Sequence, residues 1–221
     1  MLPRGRLAEA AYDHLKAKIL DGTYAAGASV SVEAVVRALG MSRQPVMEAV
    51  KRLAGEGFLE IIPQVGCRVV MPERREIEDF FRVFSATEGL CAELAAARAS
   101  DAELDELNAV AKRLGIKRGM TPEEQAHRYR IHNREFHGEI HKLAHSHTVH
   151  SVARGLWDRS DFFINTAIGT VPFVLRVREA VAEHADILAA IRRRDGSLAR
   201  RRMEEHVLAF AREMEHSDRG G

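Results

Sequence analysis

Apolar positions in the first 72 residues fall at two spacings, and the change of spacing marks out the elements. Tyr12, Leu15, Ile19 and Leu20 follow helical spacing, which predicts a first helix over about 7–21. Gly22 ends it, and the run from Gly22 to Gly27 reads as a short loop. Ser31 is suited to cap a second helix with Ala34, Val35, Ala38 and Leu39 on its inner face. Gly40 supplies a turn, Ser42 caps a third helix, and Pro45 falls in the first turn, where a missing N–H costs little. Val46, Ala49, Val50 and Leu53 place the inner face of that helix, leaving Arg43, Gln44, Met47 and Lys51 outward. Beyond Gly57 the pattern turns strand-like. Phe58–Ile62 and Cys67–Met71 flank Pro63-Gln-Val-Gly66, the layout of a hairpin.

From Pro72 onward the strand signals end. Helical faces fit 74–99, Asp101 (as N-cap) to Leu114, Thr121 to about Ala144, 148–166, 174–194 and 197–216. Breaks fall at Gly115–Gly119, Gly169–Pro172 and Asp195-Gly196. The expected fold is mainly α: three helices plus a β-hairpin over 1–72, then an all-helical bundle of about six helices over 73–221.

Composition narrows the class without deciding it. The 221 residues are 46% hydrophobic and 29% charged, and no apolar run approaches membrane-spanning length. There is no charged start followed by an apolar signal core, and two cysteines, Cys67 and Cys91, do not make a disulfide framework. A reducing cytoplasm is the expected setting. Net charge is +1 for the chain and +2 for residues 1–72, so charge alone does not point to nucleic acid. Placement does: Arg43, Lys51, Arg52 and Arg68 all fall on the third helix or the hairpin.

A helix whose N-terminus offers Arg and Gln to base edges, followed by a hairpin, is the layout of a winged helix-turn-helix that reads the major groove. In the second half the chemistry is histidine. Seven of the eleven His lie between His127 and His150, while His184 and His206 sit among apolar neighbours in the last two helices. Asn133 and His137 are i, i+4 and share a helix face. Imidazoles from separate helices of a bundle can converge on a metal, although spacing alone favours ordinary surface or core histidines. His137-Gly-Glu-Ile-His141 is not a zinc-protease motif, because its Glu stands at the third position. His127, His132, His145, His147 and His150 read as solvent-facing or structural, and Arg82, Arg130 and Arg134 as a solvated face.

The run Leu39-Gly-Met-Ser-Arg-Gln-Pro-Val-Met-Glu-Ala-Val50, with Glu56-Gly57, Pro63 and Gly66, resembles the winged helix of the GntR family of bacterial transcription regulators. The resemblance implies double-stranded DNA as partner and Ser42, Arg43, Gln44, Met47, Lys51, Gly66 and Arg68 as the contact set. Met47 and Ser29 stand where that family commonly carries Arg, which predicts a weaker phosphate term and an altered operator.

Asn133-Arg-Glu-Phe-His137, Glu183-His184 through Ile191, and Asp195 through His206 resemble the FCD ligand-binding domain of the FadR subfamily. This implies a divalent metal held by Asn133, His137, His184 and His206, with Asn in place of the usual Asp. The imidazoles favour zinc or nickel. Ser85 stands where relatives place an Arg, three residues before the acid matched by Glu88. The resemblance further implies a homodimer on a palindromic operator, a repressor rather than an enzyme, controlled by a small carboxylate effector. Two alternatives remain open at this point: a metal-dependent hydrolase with an accessory winged helix, and a metal-stabilised dimer that answers no effector.

Overall fold

A computed structural model describes residues 4–164 and 171–217. Within them the order is α1 (Arg4–Leu20), β1 (Ser29–Val30), α2 (Val32–Leu39), α3 (Arg43–Gly55), β2 (Leu59–Ile62), β3 (Gly66–Val69), then α4 (Arg74–Arg98), α5 (Asp101–Leu114), α6 (Pro122–Leu143), α7 (His147–Phe162), α8 (Val171–Arg192) and α9 (Gly196–Ser217). The chain forms two compact units. One holds the elements up to Arg74 together with the stretch starting at Asp158; the other holds Arg75–Trp157 and the last two helices.

In the first unit α1 and α2 pack on α3, around Leu15, Ile19, Val46, Val50 and Leu53. The inner face of α2 is Val32 and Val35; Ala34 and Ala38 are exposed and Leu39 is half-buried. That face is offset from the expected one because the larger β-branched side chains take the interior. Ser31 caps α2, its hydroxyl accepting from the Ala34 N–H at 3.2 Å, and Gly40 ends it in the left-handed conformation at φ 61°. Ser42 has the extended backbone of a cap but makes no side-chain cap bond.

The hairpin pairs in the expected antiparallel manner, with Glu60 opposite Arg68 and Ile61 opposite Cys67. It is part of a three-stranded sheet in the order β1-β3-β2. Ser29 and Val30 add the edge strand opposite Arg68 and Cys67. Two residues are too few for alternation to show in a sequence.

Arg52 does not join a reading surface. Its guanidinium lies 3.6 Å from the Tyr12 ring centroid and bonds to Glu9 at 2.9 Å and Glu56 at 3.2 Å. Lys16, Tyr12, Glu56 and Asp158 extend this network. Phe58 meets Phe162 edge to face at 5.4 Å.

In the second unit α8 packs on α9, α5 on α6, and both α5 and α6 on α8. Capping boxes fix two helix starts. Ser100, one residue before the expected cap Asp101, pairs with Glu103, and Thr121 pairs with Glu124 as expected. The stripe Phe81, Phe84, Glu88, Ala92, Ala95 of α4 is fully interior, so an acid stands in an apolar row. At Gly89 an added Cβ would meet Glu204 Cγ at 2.7 Å; a residue without a side chain lets α9 lie close to α4. The break expected at Gly169–Pro172 lies largely outside the described residues, as does the end expected for α7 near 166. Among the described residues no helix is long and apolar enough to cross a membrane.

Candidate nucleic-acid interface and metal centre

Two sites are built, one per unit. The first lies between the start of α3 and the hairpin, where a cleft of about 560 Å³ is lined in part by Arg43, Met47, Val65 and Gly66. Ser42, Arg43, Gln44, Lys51, Gly66 and Arg68 are exposed and Met47 is half-buried. Arg43, Met47 and Lys51, spaced by four, share one stripe of α3. At the hairpin tip Gln64 takes a left-handed φ of 64°, and Val65 is 79% exposed. The two arginines of this face are held by acids. Arg43 pairs with Glu33, Arg68 bonds Glu60 at 2.9 Å, and Gln44 reaches Glu48 at 3.4 Å.

In the second unit α6, α8 and α9 each contribute one imidazole to a buried cluster. His137, His184 and His206 are buried, and their candidate ligand atoms all lie within 4.8 Å of one another. Each ring has its Nδ1 engaged by an atom that can only accept. His137 Nδ1 donates to Glu88 Oε2 at 2.6 Å, His184 Nδ1 to the Ala180 carbonyl at 2.6 Å, and His206 Nδ1 to Glu183 Oε2 at 2.6 Å. The proton of each neutral ring is thereby placed on Nδ1, and Nε2 is left as a lone pair. Two of those lone pairs, on His137 and His184, face each other at 3.2 Å. With both protons committed elsewhere, nothing among the described residues bridges them, and a cation is the natural partner. Tetrahedral zinc with Zn–N of about 2.0–2.1 Å requires nitrogen separations of this order. The donor set therefore fits a divalent transition ion.

The electrostatics agree. Burial pushes the His184 imidazole well below its ordinary range, reinforced by His206 and His137. Burial also lowers His137, against the opposing pull of Glu88. Burial would raise the Glu88 carboxyl, but His141 and His137 outweigh it and hold it down to about 2. Glu183 is likewise pushed up by burial but lowered overall, by its bonds to His206 and Arg176. Two of the rings, His137 and His184, are thus held neutral by burial, and two ionised carboxylates flank the cluster.

Of the four expected ligands, three converge and the fourth stands at their edge. Asn133 Oδ1 accepts from the Tyr129 hydroxyl at 3.2 Å, and that hydroxyl lies 3.4 Å from His184 Nδ1. Sequence reasoning missed the orienting carboxylates. It also left His141 without a role, whereas His141 is buried and donates from Nε2 to Glu88 Oε1 at 2.6 Å. Trp157 Nε1 donates to the same oxygen at 3.1 Å, so Glu88 gathers three donors. Cys91 lies close to Glu88 and His141, and burial raises its thiol far above the ordinary range, with Glu88 adding to the effect. The signal for Glu88 was its place on the apolar stripe of α4. Ser85 is buried, its hydroxyl bonded to the Arg82 carbonyl at 2.9 Å, and leaves no cation at that point. His127, His145 and His147 are exposed, and His132 and His150 half-buried, as their sequence positions suggested.

Two family models match the chain, one in each half. Residues 79–209 match the FCD domain, and residues 7–69 match the bacterial regulatory proteins of the gntR family. A probable D-xylose utilization operon transcriptional repressor of Paenarthrobacter nicotinovorans is 25% identical over 225 residues, covering 99% of this chain and 93% of that protein. An HTH-type transcriptional regulator of Agrobacterium vitis, in the TAR-I ttuE-ttuC' intergenic region, is 34% identical over 83 residues; the match spans 38% of this chain and 48% of its own length. Among solved structures, E. coli McbR/YncC superposes with a TM-score of 0.76 at 21% identity, over 98% of this chain and 99% of that one, a likeness of fold.

Proposed function

The chain belongs to the gntR family of bacterial regulatory proteins that carry an FCD domain; from that premise we propose that it is a metal-dependent, effector-controlled repressor of the FadR subfamily. It is a DNA-binding transcriptional regulator and not an enzyme, so the hydrolase alternative falls. In this reading a homodimer binds a palindromic operator in the cytoplasm, through Ser42, Arg43, Gln44, Met47, Lys51, Gly66 and Arg68 of each subunit. His137, His184 and His206 hold a divalent ion, zinc or nickel, with Asn133 as the oxygen donor at the edge of the cage. When bound, the ion supplies a Lewis-acid position at which a carboxylate effector attaches.

The chain's own residues do the rest. Glu88, Glu183 and the Ala180 carbonyl fix the ring orientations and tautomers, so that the cage is formed before an ion enters. The two ionised carboxylates carry the charge that balances a divalent ion in a buried place. The convergence of three buried imidazoles, each with its Nδ1 already committed, carries this reading. An effector acts only through different affinities for two arrangements of the dimer, which sets the measurement. Duplex binding by the metal-loaded protein is titrated against a panel of small carboxylates. A shift in affinity with one of them supports effector control; no shift across the panel favours the metal-stabilised dimer that answers no effector. Metal content of purified wild type and a His137→Ala/His206→Ala variant tests the centre itself. Equal content in the two would overturn the assignment.

A further inference from the structure

The recognition helix and the wing each present an arginine already paired with an acid. Arg43 opens α3 at the mouth of the cleft, and the acid on it, Glu33, comes from the first turn of α2. Arg68 and Glu60 are direct cross-strand neighbours on the hairpin, 2.9 Å apart. Both members of the Arg43–Glu33 pair are well exposed, at 64% and 59%, so the pair adds little to folding and is maintained at the surface that meets DNA. A carboxylate on a guanidinium occupies the position that a phosphate oxygen would take, with the same bonding geometry.

We propose that Glu33 is a specificity-determining residue of the DNA interface, acting as an internal competitor for Arg43. Any duplex must displace Glu33 before a phosphate can engage Arg43. A random sequence supplies only the phosphate in exchange, and gains little. A sequence that also satisfies Arg43 at a guanine edge recovers more, because a bidentate base contact replaces the carboxylate with a partner matched in both donors. Glu33 therefore weakens non-specific binding more than specific binding. The effect rests on DNA binding alone and needs neither metal nor effector.

The test uses the full-length protein, a random-sequence 30-base-pair duplex pool, and the duplex that wild type enriches from that pool. Glu33→Gln keeps the shape and removes the charge. For this variant, affinity for the random pool rises about tenfold, and the slope of log K against log salt steepens by about 0.9, one additional phosphate contact. Affinity for the selected duplex rises less, so the ratio of the two falls. The double variant Glu33→Gln/Arg43→Gln binds the pool no better than Arg43→Gln alone, which locates the effect on Arg43. Unchanged thermal unfolding of Glu33→Gln shows that the gain is not a folding effect. Three outcomes overturn the proposal: no gain on the pool, an equal gain on both duplexes, or a loss on the selected duplex with none on the pool. The last would mean that Glu33 itself contacts a base.

Discussion

The two sites use ionic pairs in opposite ways. At the DNA face Arg43–Glu33 and Arg68–Glu60 lie in water, where each pair is weak and exchangeable, and the surface can trade a carboxylate for a phosphate. In the helical unit Glu88 is wholly buried among His137, His141 and Trp157, and no solvent stands ready to replace a lost partner. The same chemistry is a switch in one place and a fixed frame in the other. Burial, rather than residue type, decides which.

The largest expected effect tests the fixed frame. Glu88→Ala strips three buried donors of their acceptor and should destabilise the fold by about 3–5 kcal/mol, read by urea denaturation. A change under about 1 kcal/mol would show that the network is not a frame at all. Next, Glu183→Gln frees His206 without emptying the interior. It should lower metal affinity by about 10–100-fold in competition with a chelator, with the unfolding midpoint of the metal-free protein nearly unchanged. Ser100→Ala removes one half of a capping box and should cost about 1 kcal/mol, measured in the metal-free protein. The smallest stability effect sharpens the contrast between two serines of the first unit. Ser31→Ala should cost about 1 kcal/mol because its hydroxyl caps α2, whereas Ser42→Ala should stay within about 0.5 kcal/mol while still weakening duplex binding. Equal stability losses for the two would remove the assignment of Ser42 to DNA.

The same difference explains how much of each site was legible beforehand. The reading helix is local: cap, proline, inward valines and outward Arg43 all lie within a dozen residues, and periodicity displays them. What failed there was the two-residue strand at Ser29–Val30 and the offset face of α2, both set by packing against elements outside the local window. The histidines of the cage were legible by family resemblance, because their segments keep recognisable neighbours. Their orienting partners were not. Glu88 lies 49 residues from His137, and Glu183 lies 23 from His206, so no spacing rule connects them. Glu88 did leave a trace as an acid within the row Phe81, Phe84, Ala92, Ala95. A charge on an otherwise apolar stripe calls for a buried partner.

In the proposed metal centre, the commitment of Glu88 and Glu183 to imidazole Nδ1 atoms would also act as a filter against abundant ions. Magnesium and calcium are hard cations that shed water chiefly for anionic oxygen, and both carboxylates beside these rings are already bonded to their Nδ1 atoms. Three neutral nitrogens and an amide oxygen offer those ions too little to give up their hydration, while borderline transition ions gain from every nitrogen. Discrimination between common and scarce cations would then come from the donors the interior keeps out of reach.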